Sequence, residues 1–368
     1  MTPRLARRAL VAGSALLLAA SLTPAIAASR PAPLPACADR HQGALRIDVP
    51  VGREKAKGLV AYPDGKPRGL VVFFHGYGHT MESWRVHIAR VAKQERVVAV
   101  AMNYRRQQDS PPKTKGGLPS SRGWRVREGA VDSIAAAQLL DRRCRFPVVV
   151  AWGVSMGGNA SGLAVAAKAK RTAGKPLFDW WLDVEGATNV VETYFEASGV
   201  ARSGNSYAVA AQQDIEQEMG GTYTEQQETY QRSAVVTRGA DIKASGLKGV
   251  LMVHAVDDGL VPYNQTREMA VALRAAAVPA DVFTVTTRTD TEPGTTLDGY
   301  VTGNIPGFTS PFAGHGSEVN EKHIVIRAGF QLLTQLLAGH RKPTCKDHVI
   351  VGSLGAASTW FESAPSTC

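Results

Sequence analysis

The chain has 368 residues, of which 42 are Lys or Arg and 32 are Asp or Glu, for a formal net charge of +10. That length suits one large α/β domain with insertions and does not demand two. The positive charges are scattered, without a basic stripe or nucleic-acid motif, so they read as solvated faces and point away from a DNA or RNA ligand.

In chain order, residues 1–27 open with Arg4, Arg7 and Arg8, continue as an apolar run and end on Ala25-Ile26-Ala27. This is the layout of a secretory signal peptide cleaved after Ala27, and the run is shorter than the ~20 residues a membrane span needs. The segment "ARRALV" also has the look of a weak twin-arginine signal. Removal of those arginines would take the net charge from +10 to +7. No second stretch of spanning length follows, so the mature chain is expected to carry no integral membrane segment.

A proline-rich leader, residues 28–43, precedes the expected folded domain, residues 44–368. Strands are predicted at "ALRIDV", "GLVAYP", "GLVVFF" and "RVVAVAMNY", with a helix over residues 81–93 between the third and fourth. A loop over 109–123 leads to a helix carrying "AVDSIAAAQLL", then to a strand at Val148–Trp152 and a small-residue helix over 156–170. "FDWWLDVEG", "GVLMVHA" and "DVFTVTT" complete the strands, and the last helix covers residues 318–337. This alternation predicts an α/β fold with a mostly parallel eight-stranded sheet and helices on both faces. Two stretches interrupt the rhythm: a polar, glutamine-rich insertion after the sixth strand, about 188–248, and a loop at about 288–313. Insertions at such points commonly shape a pocket or lid.

The four cysteines are Cys37, Cys144, Cys345 and Cys368. In an exported chain they suggest two disulfides, with three possible pairings. Proximity in sequence favours Cys345 with Cys368, leaving Cys37 for Cys144. Their spacing matches no zinc site.

The stretch "VVVAWGVSMGGNASGLA" carries the chemistry. An apolar strand stops at Ser155, hemmed in by Gly153, Gly157 and Gly158, and a small-residue helix follows at once. A sharp turn that lifts a serine oxygen clear of the backbone needs strained dihedrals and small neighbours. The helix beginning at Met156 would also aim its positive end at developing charge. "GVSMG" fits G-x-S-x-G and resembles the nucleophile elbow of the α/β-hydrolase superfamily.

That resemblance covers nearly the whole expected mature chain and implies partners for Ser155 in the order Ser, acid, His. "VHAVDDGLVP" is similar to the family's D-x-x-V-P pattern, which puts Asp258 rather than Asp257 in the place of the acid. Asp183 and Glu185, in "WLDVEG", stand at the position that a few relatives use instead. "FAGHGSEVNEKHIV" offers His315, flanked by glycines in a loop, ahead of His323, which falls in the helical pattern. His75-Gly76-Tyr77, after the third strand, resembles the family's H-G-x motif. It implies an oxyanion hole made by the backbone N–H groups of Tyr77 and Met156. His75 is out of order for the base, and a metal site from His75 and His79 is not expected across the glycines between them.

The implied activity is that of a secreted serine hydrolase acting on a small or polymeric carboxylic ester through an acyl-enzyme, with no cofactor or metal. "SAVVTRGADIKASGLKGVLMVHAVDDGLVP" resembles the prolyl oligopeptidase and dienelactone hydrolase branch, which keeps a secreted peptidase or aminopeptidase in view. No propeller-like domain or obvious acidic pair for a free N-terminus is seen. An acyltransferase would share the same residues. A non-catalytic binding protein on this scaffold would be expected to have lost one of them. The hydrophilic insertion speaks against a lid for insoluble lipid.

Overall fold

Runs such as Val149–Val154 and Leu70–Phe74 are buried along their whole length, as expected of parallel strands covered on both faces. The computed structural model describes residues 37, 43–107, 122–172, 174–286, 314–351 and 359–365. Its strands are β1 (Leu45–Val51), β2 (Glu54–Ala61), β3 (Leu70–Phe74), β4 (Val98–Met102), β5 (Val149–Val154), β6 (Trp180–Val184), β7 (Gly249–Ala255), β8 (Ala280–Val285), β9 (Lys346–Val351) and β10 (Thr359–Pro365). They form one ten-stranded sheet in the order β1-β2-β4-β3-β5-β6-β7-β8-β9-β10. From β4 through β9 neighbours run parallel, while β1 on β2, β2 on β4 and β9 on β10 are antiparallel.

The helices are α1 (Arg85–Glu95), α2 (Val126–Cys144), α3 (Met156–Ala166), α4 (Val190–Ala201), α5 (Ser206–Met219), α6 (Gln227–Ser233), α7 (Gly239–Ser245), α8 (Tyr263–Ala275) and α9 (Ile324–Leu337). Alternate strand residues feed two separate cores. Val149 and Ala151 join residues of α2, α3 and α8 on one face, whereas Val150, Trp152 and Val154 join α1 and α9 on the other. The period of two along a buried strand thus places helices on both faces. No described helix is long and apolar enough to cross a membrane.

The chain leaves β3 for β4 on one side and then returns to β5 on the other. The order reverses there, and the carboxyl ends of β3 and β5 flank the crevice where open α/β sheets bind ligands. Both the Tyr77 loop and Ser155 follow those two ends.

The prediction of eight strands is short by β9 and β10. The region after the last helix was assigned no element, because "KDHVIV" is too short and mixed to stand out until β8 supplies a pairing edge. Two helix ends also differ. α3 stops at Ala166, and Lys170 instead bridges Pro176. α9 starts at Ile324, so His323 is its N-cap residue rather than an interior one. The insertion after β6 holds α4 to α7. The predicted pair Cys37–Cys144 is disulfide-bonded. Cys345 is also in a disulfide, and its expected partner Cys368 lies outside the described residues. So do the predicted signal peptide, nearly all of the leader, most of the loop at 109–123 and the whole of that at 288–313.

One core position is electrostatically costly. Asp183 on β6 is fully buried, and neither of its oxygens has a hydrogen-bond partner among the described residues. Burial pushes its carboxyl up to about 8, so the native chain holds a proton that the unfolded chain releases above about pH 4. Unfolding is then favoured progressively from about pH 4 to pH 8, by at most about 1.4 kcal/mol per pH unit. Asp183→Asn should flatten that slope, its stability relative to the parent rising from pH 5 to pH 8 in urea titrations. Parallel pH profiles for the two proteins would contradict this.

Candidate active site

Ser155 follows the last residue of β5 with φ 57° and ψ −127°. A non-glycine residue held there carries strain of about 1–3 kcal/mol, the kind that concentrates at functional sites. The flanking glycines have a direct cause. A Cβ on Gly153 would lie 2.1 Å from the Gly157 carbonyl oxygen, and one on Gly157 would lie 2.2 Å from that of Phe74. Strand, turn and helix therefore approach so closely that only glycine fits. The serine side chain makes no capping bond to α3, although its carbonyl accepts from Gly158 and Ala187 at 2.8 and 3.0 Å. The hydroxyl is left for other use.

Asp258 and His315, 57 residues apart, meet at 2.7 Å between Oδ2 and Nδ1. Both are buried. The other oxygen of Asp258 accepts the backbone N–H groups of Leu260 and Val261 at 2.8 and 2.9 Å. Burial opposes its ionisation, but His315 and His254 overcome this and hold the carboxyl well below the usual carboxylate range. An ionised Asp258 accepts from His315 Nδ1–H, which leaves Nε2 on the side of the ring away from that carboxylate. Asp257 is half-buried and lies beside Gly314.

Glu185, just beyond β6, is a second carboxylate against the same ring, with Oε2 3.5 Å from His315 Nδ1. Its oxygens accept from Gly316 N–H at 2.6 Å and Ala255 N–H at 3.3 Å. Burial, then the charge of Asp258, push it well above the normal range. The two acids thus divide: Asp258 carries the charge, and Glu185 ties β6 and β7 to the histidine loop. Asp183 contributes nothing at this ring; it packs against Gly158 and Gly186 under α3. His323 is fully buried, with neither ring nitrogen hydrogen-bonded, and burial lowers it to about 4.

The segment after β3 lies against the serine. A Cβ on Gly76 would stand 3.4 Å from Ser155 Cβ and 3.3 Å from Glu318 Oε2. His75 is buried, stacks on Tyr104 with ring centroids 4.0 Å apart, and is lowered by burial to about 4. Burial therefore favours its neutral form, and its ring packs inside the fold against Tyr104. Met156 is the first residue of α3, where helix geometry leaves the N–H without an intrahelical acceptor. Tyr77 turns its ring into a cavity of about 330 Å³ that Ser155 also lines, while its hydroxyl donates to Asp214 at 2.5 Å. Among the described residues the Ser155 hydroxyl makes no hydrogen bond, to His315 included. Such bonds are often long without substrate and tighten on binding.

Glu318 escaped the sequence reading. Its Oε1 accepts from Gly76 N–H at 3.0 Å and Ser83 Oγ at 2.9 Å, and lies 2.7 Å from His79 Nδ1. Burial opposes the charge, but His79 and the Gly76 N–H bring the carboxyl down to about 2. Only three residues from His315, it fastens the histidine loop to the Tyr77 loop. The sequence placed it only at the start of the last predicted helix. Glu318→Gln keeps one acceptor but loses the charge. It should lower kcat about tenfold with KM little changed, a partial loss of the ~3 kcal/mol that one oxyanion donor supplies. Unchanged kcat in steady-state assays would contradict that.

Glu185, His254 and Asp258 also bring potential metal-ligand atoms within 4.8 Å of one another. Each is already engaged. His254 Nε2 donates to the Val261 carbonyl and Nδ1 is hydrogen-bonded to Thr266 Oγ1, both at 2.7 Å, and the carboxylates are bonded as described. These bonds already occupy the donor atoms that face one another.

No protein-family model matches the chain, and no curated protein matches it in sequence. Solved structures do. A Pyrobaculum calidifontis esterase is 16% identical and covers 82% of this chain and 86% of its own, with a TM-score of 0.51. Carboxyl esterase 2 from the mycorrhizal fungus Tuber melanosporum is 15% identical and covers 80% and 85%, with a TM-score of 0.52. A Mycobacterium tuberculosis puromycin-hydrolysing peptidase, 21% identical, covers 66% of this chain and 34% of its own at a TM-score of 0.44. With its strand order reversing beside Ser155 and its superposition on the two esterases, this chain has the α/β-hydrolase fold.

Proposed function

We propose that the chain is a secreted serine hydrolase that cleaves carboxylic esters with Ser155, His315 and Asp258. Ser155 Oγ attacks the acyl carbonyl while His315 Nε2 takes its proton. Asp258 stays ionised and steadies the imidazolium, as the triad requires. The N–H groups of Tyr77 and Met156 hold the oxyanion. His315 then returns the proton to the departing alkoxide, releasing alcohol and leaving the acyl group on Ser155. A water molecule, deprotonated by His315, repeats the addition and frees the acid.

The observation that carries this reading is the 2.7 Å bond from His315 to an ionised Asp258, in a fold whose strained serine turn opens on a mostly apolar cavity. Apolar walls with a few polar groups suit a small acyl group. α4 and α5 then serve as a cap, since both contribute residues to that cavity. Export is supported by the Cys37–Cys144 disulfide and by the N-terminal sequence pattern. A panel of p-nitrophenyl esters of rising chain length, run beside aminoacyl p-nitroanilides, tests the reading. Ester turnover should exceed anilide turnover throughout. Faster anilide cleavage would make the chain a peptidase, and no turnover of either would overturn the proposal.

A further inference from the structure

The cavity beside Ser155 holds one group that the mechanism does not use. Glu196 lies on the face of α4 that lines it, with Thr193, Ala197 and Val200 at helical spacing. Its Oε2 is buried without a hydrogen-bond partner, and no described residue bonds to or pairs with its carboxyl. A buried, unpartnered carboxyl oxygen in an apolar cavity is unfavourable unless a ligand completes it.

The surroundings say which ligand. Glu192 on α4, Glu268 on α8 and Asp258 all act on Glu196 as like charges. Glu192 and Glu268 take hydrogen bonds from the neutral amides of Asn264 and Asn189. No described Lys or Arg forms an ion pair with Glu192, Glu196 or Glu268. Among the described residues, this end of the cavity gathers acids with no cation paired to them.

We propose that Glu196 is a substrate-binding residue that selects a group bearing a cationic amine for the cavity beside Ser155. Burial and the three acids raise its own carboxyl to about 8, which an ammonium partner would reverse. At neutral pH a proton on Glu196 relieves the like-charge crowding; an ammonium can take the place of that proton and a neutral hydroxyl cannot. This deepens the serine-hydrolase reading and rests on it for the word substrate, although the amine site itself does not need catalysis.

The test separates the two. Calorimetric titration of hexylammonium and of hexanol into the wild-type chain and into Glu196→Gln requires no turnover. The wild type is expected to favour the ammonium, and the ratio of the two affinities is expected to fall at least tenfold in Glu196→Gln. In parallel, the ratio of kcat/KM for p-nitrophenyl 6-aminohexanoate to that for p-nitrophenyl hexanoate should fall by a similar factor. An affinity ratio unchanged by the substitution, or hexanol weakened as much as hexylammonium, overturns the amine site. A preserved amine preference without ester hydrolysis overturns the hydrolase reading and leaves the amine site standing.

Discussion

Ser155→Ala should cut kcat/KM for p-nitrophenyl esters by about 10⁵-fold or more, because a nucleophile and its base act as one unit. The variant should keep its fold. The hydroxyl caps no helix and makes no hydrogen bond among the described residues, and the turn around it is held by backbone bonds and by Gly153 and Gly157. Circular dichroism and urea titration should therefore overlay the parent, or show a small gain, since alanine removes a buried polar group. A variant that unfolded would place Ser155 in the scaffold, and one that kept most of its rate would place the nucleophile elsewhere.

The second large effect sets two carboxylates against each other. Asp258→Asn should lower kcat by roughly 10³–10⁴, because the amide no longer fixes the Nδ1–H tautomer or steadies the imidazolium. Glu185→Gln should lower kcat by less than about tenfold and act mainly on stability. Both oxygens of Glu185 face backbone N–H donors, so the amide NH₂ of a glutamine would oppose one of them and forfeit about 1–3 kcal/mol. Steady-state kinetics and denaturant titration of both variants decide the matter. If Glu185→Gln lost the larger part of kcat while Asp258→Asn did not, the acid at the end of β6 would be the catalytic one.

The parts of this site that were legible in the sequence share a trait: local crowding. Gly153, Gly157 and the abrupt strand-to-helix change are written into neighbouring residues because the clash they avoid is local. Asp258 was picked by the resemblance of its segment to the D-x-x-V-P pattern and His315 by its two flanking glycines, and the two side chains meet at 2.7 Å. What the sequence hid is what depends on distant pairing. Glu318 is bonded to Gly76, 242 residues away, and nothing near either residue announces it. Glu196 sits in a polar, glutamine-rich insertion, where one more acid looks solvated. Only the packing of α4 beside the cavity buries its Oε2. β9 was missed because a strand of six residues takes its identity from its neighbours β8 and β10.

The start of the last helix failed for a related reason. Apolar periodicity was extended back to Glu318, yet residues 318–323 bend to bring Glu318 to Gly76 and to bury His323. Tertiary bonding by a carboxylate overrode a pattern that local spacing favoured.

The most direct measurement is labelling by a fluorophosphonate probe, with the modified residue identified by peptide mass spectrometry. An activated serine reacts with such a probe and an ordinary one does not. The adduct is expected on Ser155, at a rate that falls by orders of magnitude in His315→Ala. An adduct elsewhere, no adduct on the folded chain, or equal labelling of His315→Ala would contradict the triad.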